Sequence, residues 1–384
     1  MATRSSGRKA AAFASKDSAA TAHGPAAAAS NPAQRTPGGH RSELCRNVLR
    51  TAPDQAVLDL LAACAADTFA RPDFGQQLVS IKKSFVERDY DAVFKTPAHL
   101  PIYAAQYTPG RALCYLDLIR TEPLLLRFLL RRQRLRTVCL GGGAGSEIVA
   151  LAAARALLAE RRAGDAPASG DASAAAPDGS AAAAADRLAT LDLQPHPVPV
   201  PAAPPPRLTD LHVYDMGDWG DVLTRQAEVM RERWQFAAGA AAGELRFRFV
   251  EGDILDMAAS AHGDLLRELA RADLVTAMFV INELFVSRER TLALLKVLLE
   301  HMRPGALLLV VDSAGDFSHL QVGRRTFMVY TLLDSLRGWR QLVAHDAQWY
   351  RVPPGLRYPL EVQNMRYFVR LYQRERDEPP ANVQ

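Results

Sequence analysis

Thr137-Val138-Cys139-Leu140 is a short apolar run that passes directly into Gly141-Gly142-Gly143-Ala144-Gly145. From Ser146 to Arg162 the pattern then turns helical, with Ile148, Leu151, Leu157 and Leu158 spaced for burial on one face. A strand that becomes a helix through glycines is a strong constraint on the fold. Glycine lets the backbone bend sharply and come close to a ligand, and the first turn of the helix offers unpaired N–H groups. A tight packing turn with no ligand is the plain alternative.

The rest of the chain fits around that junction. Strand candidates alternate with helices: Leu211–Asp215, a helix from Val222 to Trp234, Arg246–Val250, a helix from Asp264 to Arg271, Leu274–Ile281, a helix from Arg288 to Met302, and Leu307–Asp312. Ser287 is placed to cap the Arg288 helix, and Arg303-Pro304-Gly305 to stop it. A helix is expected from Gly323 to Leu336, followed by strands at Gln341–His345 and Met365–Tyr372 with no convincing helix between them. Before the glycines the texture is helical: Val57, Leu60, Leu61, Cys64 and Phe69 recur at spacings of three and four, as do Leu78, Ile81 and Phe85, and another helix starts at Pro123. The expectation is an α/β fold: a doubly wound, mostly parallel, seven-stranded Rossmann-like sheet over 137–375 with an antiparallel C-terminal edge hairpin, preceded by a helical region over 41–136.

Two stretches stand apart by composition. Residues 1–40 hold 13 alanines, one aromatic and a net charge of +4, and read as a disordered basic tail. Residues 163–206 are mostly Ala, Asp, Gly, Ser and Pro with a net charge of −4, and read as a low-complexity insertion within the sheet domain. The remaining body is only mildly basic at +4, which permits nucleic-acid binding without requiring it. No apolar run is long enough to span a bilayer, so no membrane association is expected. Cys45, Cys64, Cys114 and Cys139 are too widely spaced for a zinc site or a disulfide scaffold, so no metal is expected and a reducing compartment fits. The acid-poor N-terminus reads either as a mitochondrial transit peptide or as a basic tail with a nuclear address.

In an open sheet of this kind, ligands sit beyond the carboxyl ends of the strands. Acidic residues fall at those ends. Asp215 closes the second strand and can accept from both hydroxyls of a ribose. Glu251-Gly252-Asp253 closes the third, where Asp253 can accept from an adenine amine with Ile254 beside it. Asn282-Glu283 closes the fourth. The glycine spacing separates the adenosine cofactors. A dinucleotide fingerprint needs Gly or Ala at position 146, where this chain has Ser146. No lysine follows in P-loop position. Gly141, Gly143 and Gly145 instead form G-x-G-x-G, which resembles the first motif of class I S-adenosylmethionine-dependent methyltransferases, where a Glu such as Glu147 commonly follows. The resemblance implies S-adenosylmethionine as cofactor, held by Gly141, Gly142, Gly143, Gly145, Glu147, Asp215, Asp253 and Ile254. Asp215 lies 74 residues after Gly141, and 30 once the 44-residue low-complexity segment is set aside, so that segment reads as an insertion between the first helix and the second strand.

Leu274-Val275-Thr276-Ala277-Met278-Phe279-Val280-Ile281-Asn282-Glu283-Leu284-Phe285 resembles the matching run of fungal uridine-N3 methyltransferases of large-subunit ribosomal RNA. So do Tyr103-Ala104-Ala105-Gln106-Tyr107-Thr108-Pro109-Gly110-Arg111-Ala112-Leu113 and the C-terminal Tyr358-Pro359-Leu360-Glu361 and Asn364-Met365-Arg366-Tyr367. The resemblance spans roughly 75–375 without the insertion. It implies a ribosomal RNA or pre-ribosomal substrate and a nuclear or nucleolar site of action, with the cytoplasm, or the mitochondrion, as alternatives.

Such chemistry needs a group to accept the N3 proton. Glu283 is the first candidate, Asp312 the second, and Asn282 is suited to hold O2 or O4 of the uracil. Glu283 as a cofactor contact is the competing role. Tyr103, Tyr107, Phe279 and Phe285 are candidates for stacking a flipped base, Phe279 being the one that reads more as core. Tyr103, Tyr107 and Arg111 are expected on the RNA side. Arg127, Arg131, Arg132, Arg134 and Arg136 form a basic run, read either as a solvated helix face or as a phosphate-binding patch in which Arg131 and Arg132 touch RNA. A methyltransferase of proteins or small molecules, and a non-catalytic binding module on the same fold, are the rival functions.

Overall fold

The computed structural model describes residues 49–164, 207–234, 236, 243–315, 319–322 and 325–376. The expected basic tail and nearly all of the expected insertion lie outside the described residues. Seven strands form one sheet: β1 (Arg134–Leu140), β2 (Leu208–Asp215), β3 (Glu244–Glu251), β4 (Leu274–Met278), β5 (Leu307–Ser313), and, beyond the small hairpin of β6 (His319–Val322) and β7 (Arg325–Met328), β8 (Trp339–Tyr350) and β9 (Met365–Arg374). Their order is β3-β2-β1-β4-β5-β9-β8. The first five strands run parallel, and β9 and β8 add antiparallel at one edge. This is the expected doubly wound sheet. The chain leaves β1 outward to β2 and β3, then returns to β4 on the other side of β1, so two strands diverge at β1 and leave a crevice at their carboxyl ends.

Each face of the sheet has its own core. One packs Leu211, Val213, Leu309 and Val311 under the helices Pro53–Cys64, Leu100–Thr121, Ser146–Gly164 and Gly220–Trp234. The other packs Val138, Leu140, Val275 and Val310 under Gly263–Arg271, Arg288–His301 and Val329–Asp334. β4 is buried at all five positions, as a central parallel strand must be. The N-terminal helices share the first core with the sheet.

Several boundaries differ from the sequence reading. β1 starts at Arg134, because Leu135 alternates inward while Arg134 and Arg136 pair in register with Leu208 and Asp210. Arg134 and Arg136 are therefore strand residues, not part of a helix face. β4 ends at Met278, not Ile281: Phe279 takes a left-handed conformation (φ 56°), and Ile281–Leu284 is a helical turn. Ser287 holds the N-cap position but makes no cap bond; its carbonyl accepts from Thr291 Oγ1 instead. The helix expected over Gly323–Leu336 is shorter, Val329–Asp334, because β7 takes Arg325–Met328.

One helix shapes the site most. Leu100–Thr121 carries Pro109 in its interior. Proline has no N–H, so the carbonyl four residues earlier, that of Ala105, loses its helical donor. Tyr358 Oη supplies one, at 2.8 Å. Gly110, next in line, brings its backbone against Gln363 O, with a Cβ there only 3.2 Å from that oxygen. The segment after β8 is thereby clasped to the N-terminal helices, and Gln55 reinforces it by bonding both the N–H and the carbonyl of Arg357. The two motifs singled out around Pro109 and around Tyr358 are therefore in contact.

Candidate functional site

A cleft with about 990 Å3 of empty space, partly open to solvent, lies beyond the carboxyl ends of β1, β2, β3 and β4. The glycine loop forms its base. Gly141 and Gly145 sit at φ 73° and 82°, where side chains are strained. The room is also taken: a Cβ on Gly143 would lie 2.0 Å from the Trp219 ring, and one on Gly145 would lie 1.8 Å from the Gln226 amide. The loop is held from two sides, since Ala144 O accepts from Thr108 Oγ1 at 2.9 Å and from Gln226 Nε2 at 3.0 Å.

Asp215 ties β2 to this loop. One carboxylate oxygen accepts from Gly143 N at 2.9 Å; the other accepts from Gly217 N at 3.1 Å and Trp219 Nε1 at 2.8 Å. Burial raises its pKa, and those donors oppose the rise. Asp253 faces the same cleft, capping the helix Ile254–Ala259 through Leu255 N at 2.8 Å and pairing with Arg290 at 3.0 Å. Ile254 and Leu255 add an apolar wall.

Glu283 enters from the helical turn after β4. Burial pushes its carboxyl up to about 8; Arg111 opposes the rise, while Asp312 and Asp215 add to it. Arg111 lies in the same wall, donating to Tyr103 Oη at 2.7 Å with its guanidinium 5.1 Å from the Phe279 ring centre. It stays charged despite burial because Tyr103, Tyr115 and Glu283 surround it. Tyr90, Phe94 and Tyr103 complete an aromatic side.

The structure sorts the expected site residues. Gly141, Asp215, Asp253, Ile254, Glu283, Tyr103 and Arg111 line the cleft together. Gly142 and Glu147 lie behind the loop: the Glu147 carboxylate is 2.3 Å from where a Gly142 Cβ would stand, and burial raises it to about 8. Asn282 and Asp312 stand one layer back. Asp312 accepts from Asn282 N at 3.0 Å, Asn282 Nδ2 at 2.7 Å and Ser313 N at 2.7 Å, and is raised to about 6 by burial against those donors. The Asn282 amide that was expected to meet a uracil is thus turned toward Asp312. Tyr107 packs on Tyr103, ring centres 4.8 Å apart, rather than lining the cleft.

Two aromatic assignments change. Phe279 does both: half-buried and packed against the core of one sheet face, it also lines the cleft from its left-handed position. Phe285 is core, 7% exposed. Arg131 and Arg132 lie beyond the amino end of β1, opposite the cleft. Arg132 bonds Asp273 at 2.7 Å and Arg136 pairs with Asp210 at 3.4 Å, so this run serves the amino edge of the sheet. Trp219, Tyr90, Phe94 and Arg290 were not anticipated. Trp219 was legible in principle, as a large aromatic between Asp218 and Gly220 just after a strand end.

The donors and acceptors present suit a nucleoside carrying a positive charge. A glycine cradle that admits no side chain, two acids at successive strand ends, an apolar wall and a third carboxylate converge on one cleft. Among the described residues no group of three or more His, Cys, Asp or Glu could hold a metal ion, and no helix is long and apolar enough to cross a membrane.

Comparison with known proteins adds the following. Residues 61–373 match the family described as "Putative SAM-dependent methyltransferase". A curated relative, the 25S rRNA (uridine(2843)-N(3))-methyltransferase of Saccharomyces cerevisiae, is 26% identical over 344 residues, covering 84% of this chain and 86% of its own. Solved structures align with low scores. TehB from Haemophilus influenzae is 17% identical over 44% of this chain and 50% of its own, at a TM-score of 0.27. An O-methyltransferase from Klebsiella pneumoniae, named as such provisionally, is 11% identical over 80% of this chain and 91% of its own, at 0.33.

Proposed function

We infer that this chain, which belongs to the SAM-dependent methyltransferase family, methylates N3 of a uridine in large-subunit ribosomal RNA. Its cofactor is S-adenosylmethionine, which when bound supplies a methyl group on a positively charged sulfur. The observation that carries the reading is the convergence of Glu283 on the cleft that the glycine loop, Asp215 and Asp253 also line. The yeast relative, similar along most of both chains, supports the choice of substrate.

Gly141, Gly143 and Asp215 are suited to hold the amino acid and ribose parts of the cofactor, and Asp253, Ile254 and Leu255 the adenine. Glu283 is placed to accept the proton of uridine N3, so that N3 would take the methyl as its bond to the sulfonium sulfur breaks and the thioether leaves. A carboxyl at about 8 is a far stronger proton acceptor than an ordinary one at 4.5, and proton transfer by such a group contributes typically ~10²–10⁴-fold. Arg111 balances the charge on Glu283 once it ionises. Asp312 fixes the Asn282 backbone, and so the turn from which Glu283 projects; it is a positioning residue rather than the base. Tyr90, Phe94 and Tyr103 offer ring faces for an extruded base. The partner is ribosomal RNA or a pre-ribosomal particle, and the nucleolus the corresponding location.

The test has two parts. Calorimetry should show binding of S-adenosylmethionine. Incubation with large-subunit RNA from cells lacking their own enzyme should then yield 3-methyluridine on nucleoside mass analysis. Cofactor binding with no 3-methyluridine in that RNA would move the substrate elsewhere within the family.

A further inference from the structure

We propose that Trp349, Arg351 and Arg366 form a docking platform for single-stranded RNA flanking the target nucleotide. The proposal rests on the RNA reading above and says where the strand lies.

Trp349 is the most exposed aromatic ring among the large exposed hydrophobics, at 56%. It stands near the end of β8, the outermost strand of the sheet. Arg366 is its register partner on β9, so the two side chains leave the same face side by side. Arg351 is two residues along, and its guanidinium lies 5.1 Å from the Trp349 ring centre. Arg351 and Arg366 are both exposed, and neither has an ion-pair partner among the described residues. Arg132, Arg136, Arg290 and Arg370, by contrast, are each tied to a carboxylate. An exposed indole with Arg351 against its ring and Arg366 beside it, neither cation paired with a carboxylate, suits a ligand that carries flat rings and negative charge in alternation, which is single-stranded nucleic acid.

The location is consistent. β9 runs antiparallel to β5, so the start of β9 and the end of β8 meet the carboxyl end of β5, on the cleft side of the sheet. Arg366 O accepts from Ala314 N, two residues past Asp312, which holds the turn bearing Glu283. From β4 to β8 is three strand spacings, roughly 14 Å, within reach of a few nucleotides of extended strand.

The test uses the full chain, a fluorescein-labelled single strand of about 12 nucleotides, the same sequence as a duplex, and an oligoglutamate of similar charge. Stacking of one base is worth ~1–3 kcal/mol by alanine substitution, so Trp349→Ala should weaken single-strand binding by ~5- to 150-fold. Trp349→Phe should restore most of it, and duplex or oligoglutamate binding should change little. Arg366→Ala should weaken single-strand binding and lower the salt slope by ~1. Cofactor affinity should hold in every variant, showing that the cleft is intact. If the wild type binds and methylates RNA but Trp349→Ala binds within twofold of it, the platform is wrong and the function stands. If Trp349→Ala weakens oligoglutamate as much as RNA, the surface is a docking site for acidic protein, and the proposal is also overturned. If the wild type binds cofactor but no RNA, both readings fall.

Discussion

Glu283 and Glu147 are both carboxyls that burial raises to about 8, yet they sit on opposite sides of the glycine loop and call for different measurements. Glu283 faces the cleft, so its consequence is kinetic. As the general base it works only when ionised, so kcat/KM should climb about tenfold per pH unit toward a plateau above pH ~8. Glu283→Gln keeps the size and removes the basicity; it should lower single-turnover methylation by ~10²-fold or more, abolish that limb and leave cofactor affinity nearly unchanged. Lost affinity with a preserved rate would make Glu283 a cofactor contact. Glu147 is 3% exposed behind the loop, so its consequence is on stability. Its pKa is raised on folding from 4.5, which means the stability it contributes is full below pH ~4.5 and is lost as pH rises through about 8. The thermal midpoint of the cofactor-free protein should therefore fall between pH ~4.5 and ~8 and level off above that, and Glu147→Gln, which stays neutral, should flatten that fall. An unaltered pH profile would mean Glu147 is ionised in its site. The sequence pointed to Asp215 and Glu283 because an acid at or just past a strand end is a local signal. It could not reveal that Asn282 turns toward Asp312 or that Phe279 lines the cleft, since both sit in a turn, begun by a left-handed residue, that bonds to β5, a partner far off in sequence.

Thr108-Pro109-Gly110-Arg111 shows how one helix turn serves both scaffold and site. Thr108 holds the glycine-loop carbonyl of Ala144, Pro109 frees the carbonyl that Tyr358 meets, Gly110 admits the Gln363 backbone, and Arg111 reaches the cleft. Tyr358→Phe leaves Ala105 O without that donor and should cost ~1–2 kcal/mol. Pro109→Ala returns an N–H to the helix, so in that background the same Tyr358→Phe change should cost much less; a double-mutant cycle by denaturant unfolding measures the coupling. Additive costs would mean the tyrosine and the proline act independently. At this scale the strand, glycine loop and first helix were legible because each is set by adjacent residues. The stretch from Gly323 was misread as one helix because apolar residues at short range fit either period, and pairing with β6 decides for strand up to Met328.

The alternation of strands and helices implied a doubly wound sheet with its ligand site beyond the carboxyl ends of the strands; the strand order, which places the cleft where the chain reverses direction across β1, came only with the fold. The antiparallel β9 and β8 were legible as an edge hairpin, though shorter than they are, because charged residues such as Arg340 and Arg374 obscured the strand ends. The segment 163–206 stood out by composition, and nearly all of it falls between the helix that ends at Gly164 and the start of β2. Replacing 165–206 with a short Gly/Ser linker should leave thermal stability and cofactor affinity nearly unchanged, since the cost of closing a loop changes only slowly with its length. A large loss of either, read by calorimetry, would show that the segment contributes to the folded body. The clasp between Pro109 and Tyr358 reaches across 249 positions of sequence. In descent, the two are expected to travel as a single heritable character: a lineage that loses the proline would regain a self-sufficient helix and have no further use for the phenol, while one that loses the tyrosine first would carry an unmet carbonyl. The order of substitution is thus biased, proline before tyrosine, even though neither residue touches the reaction.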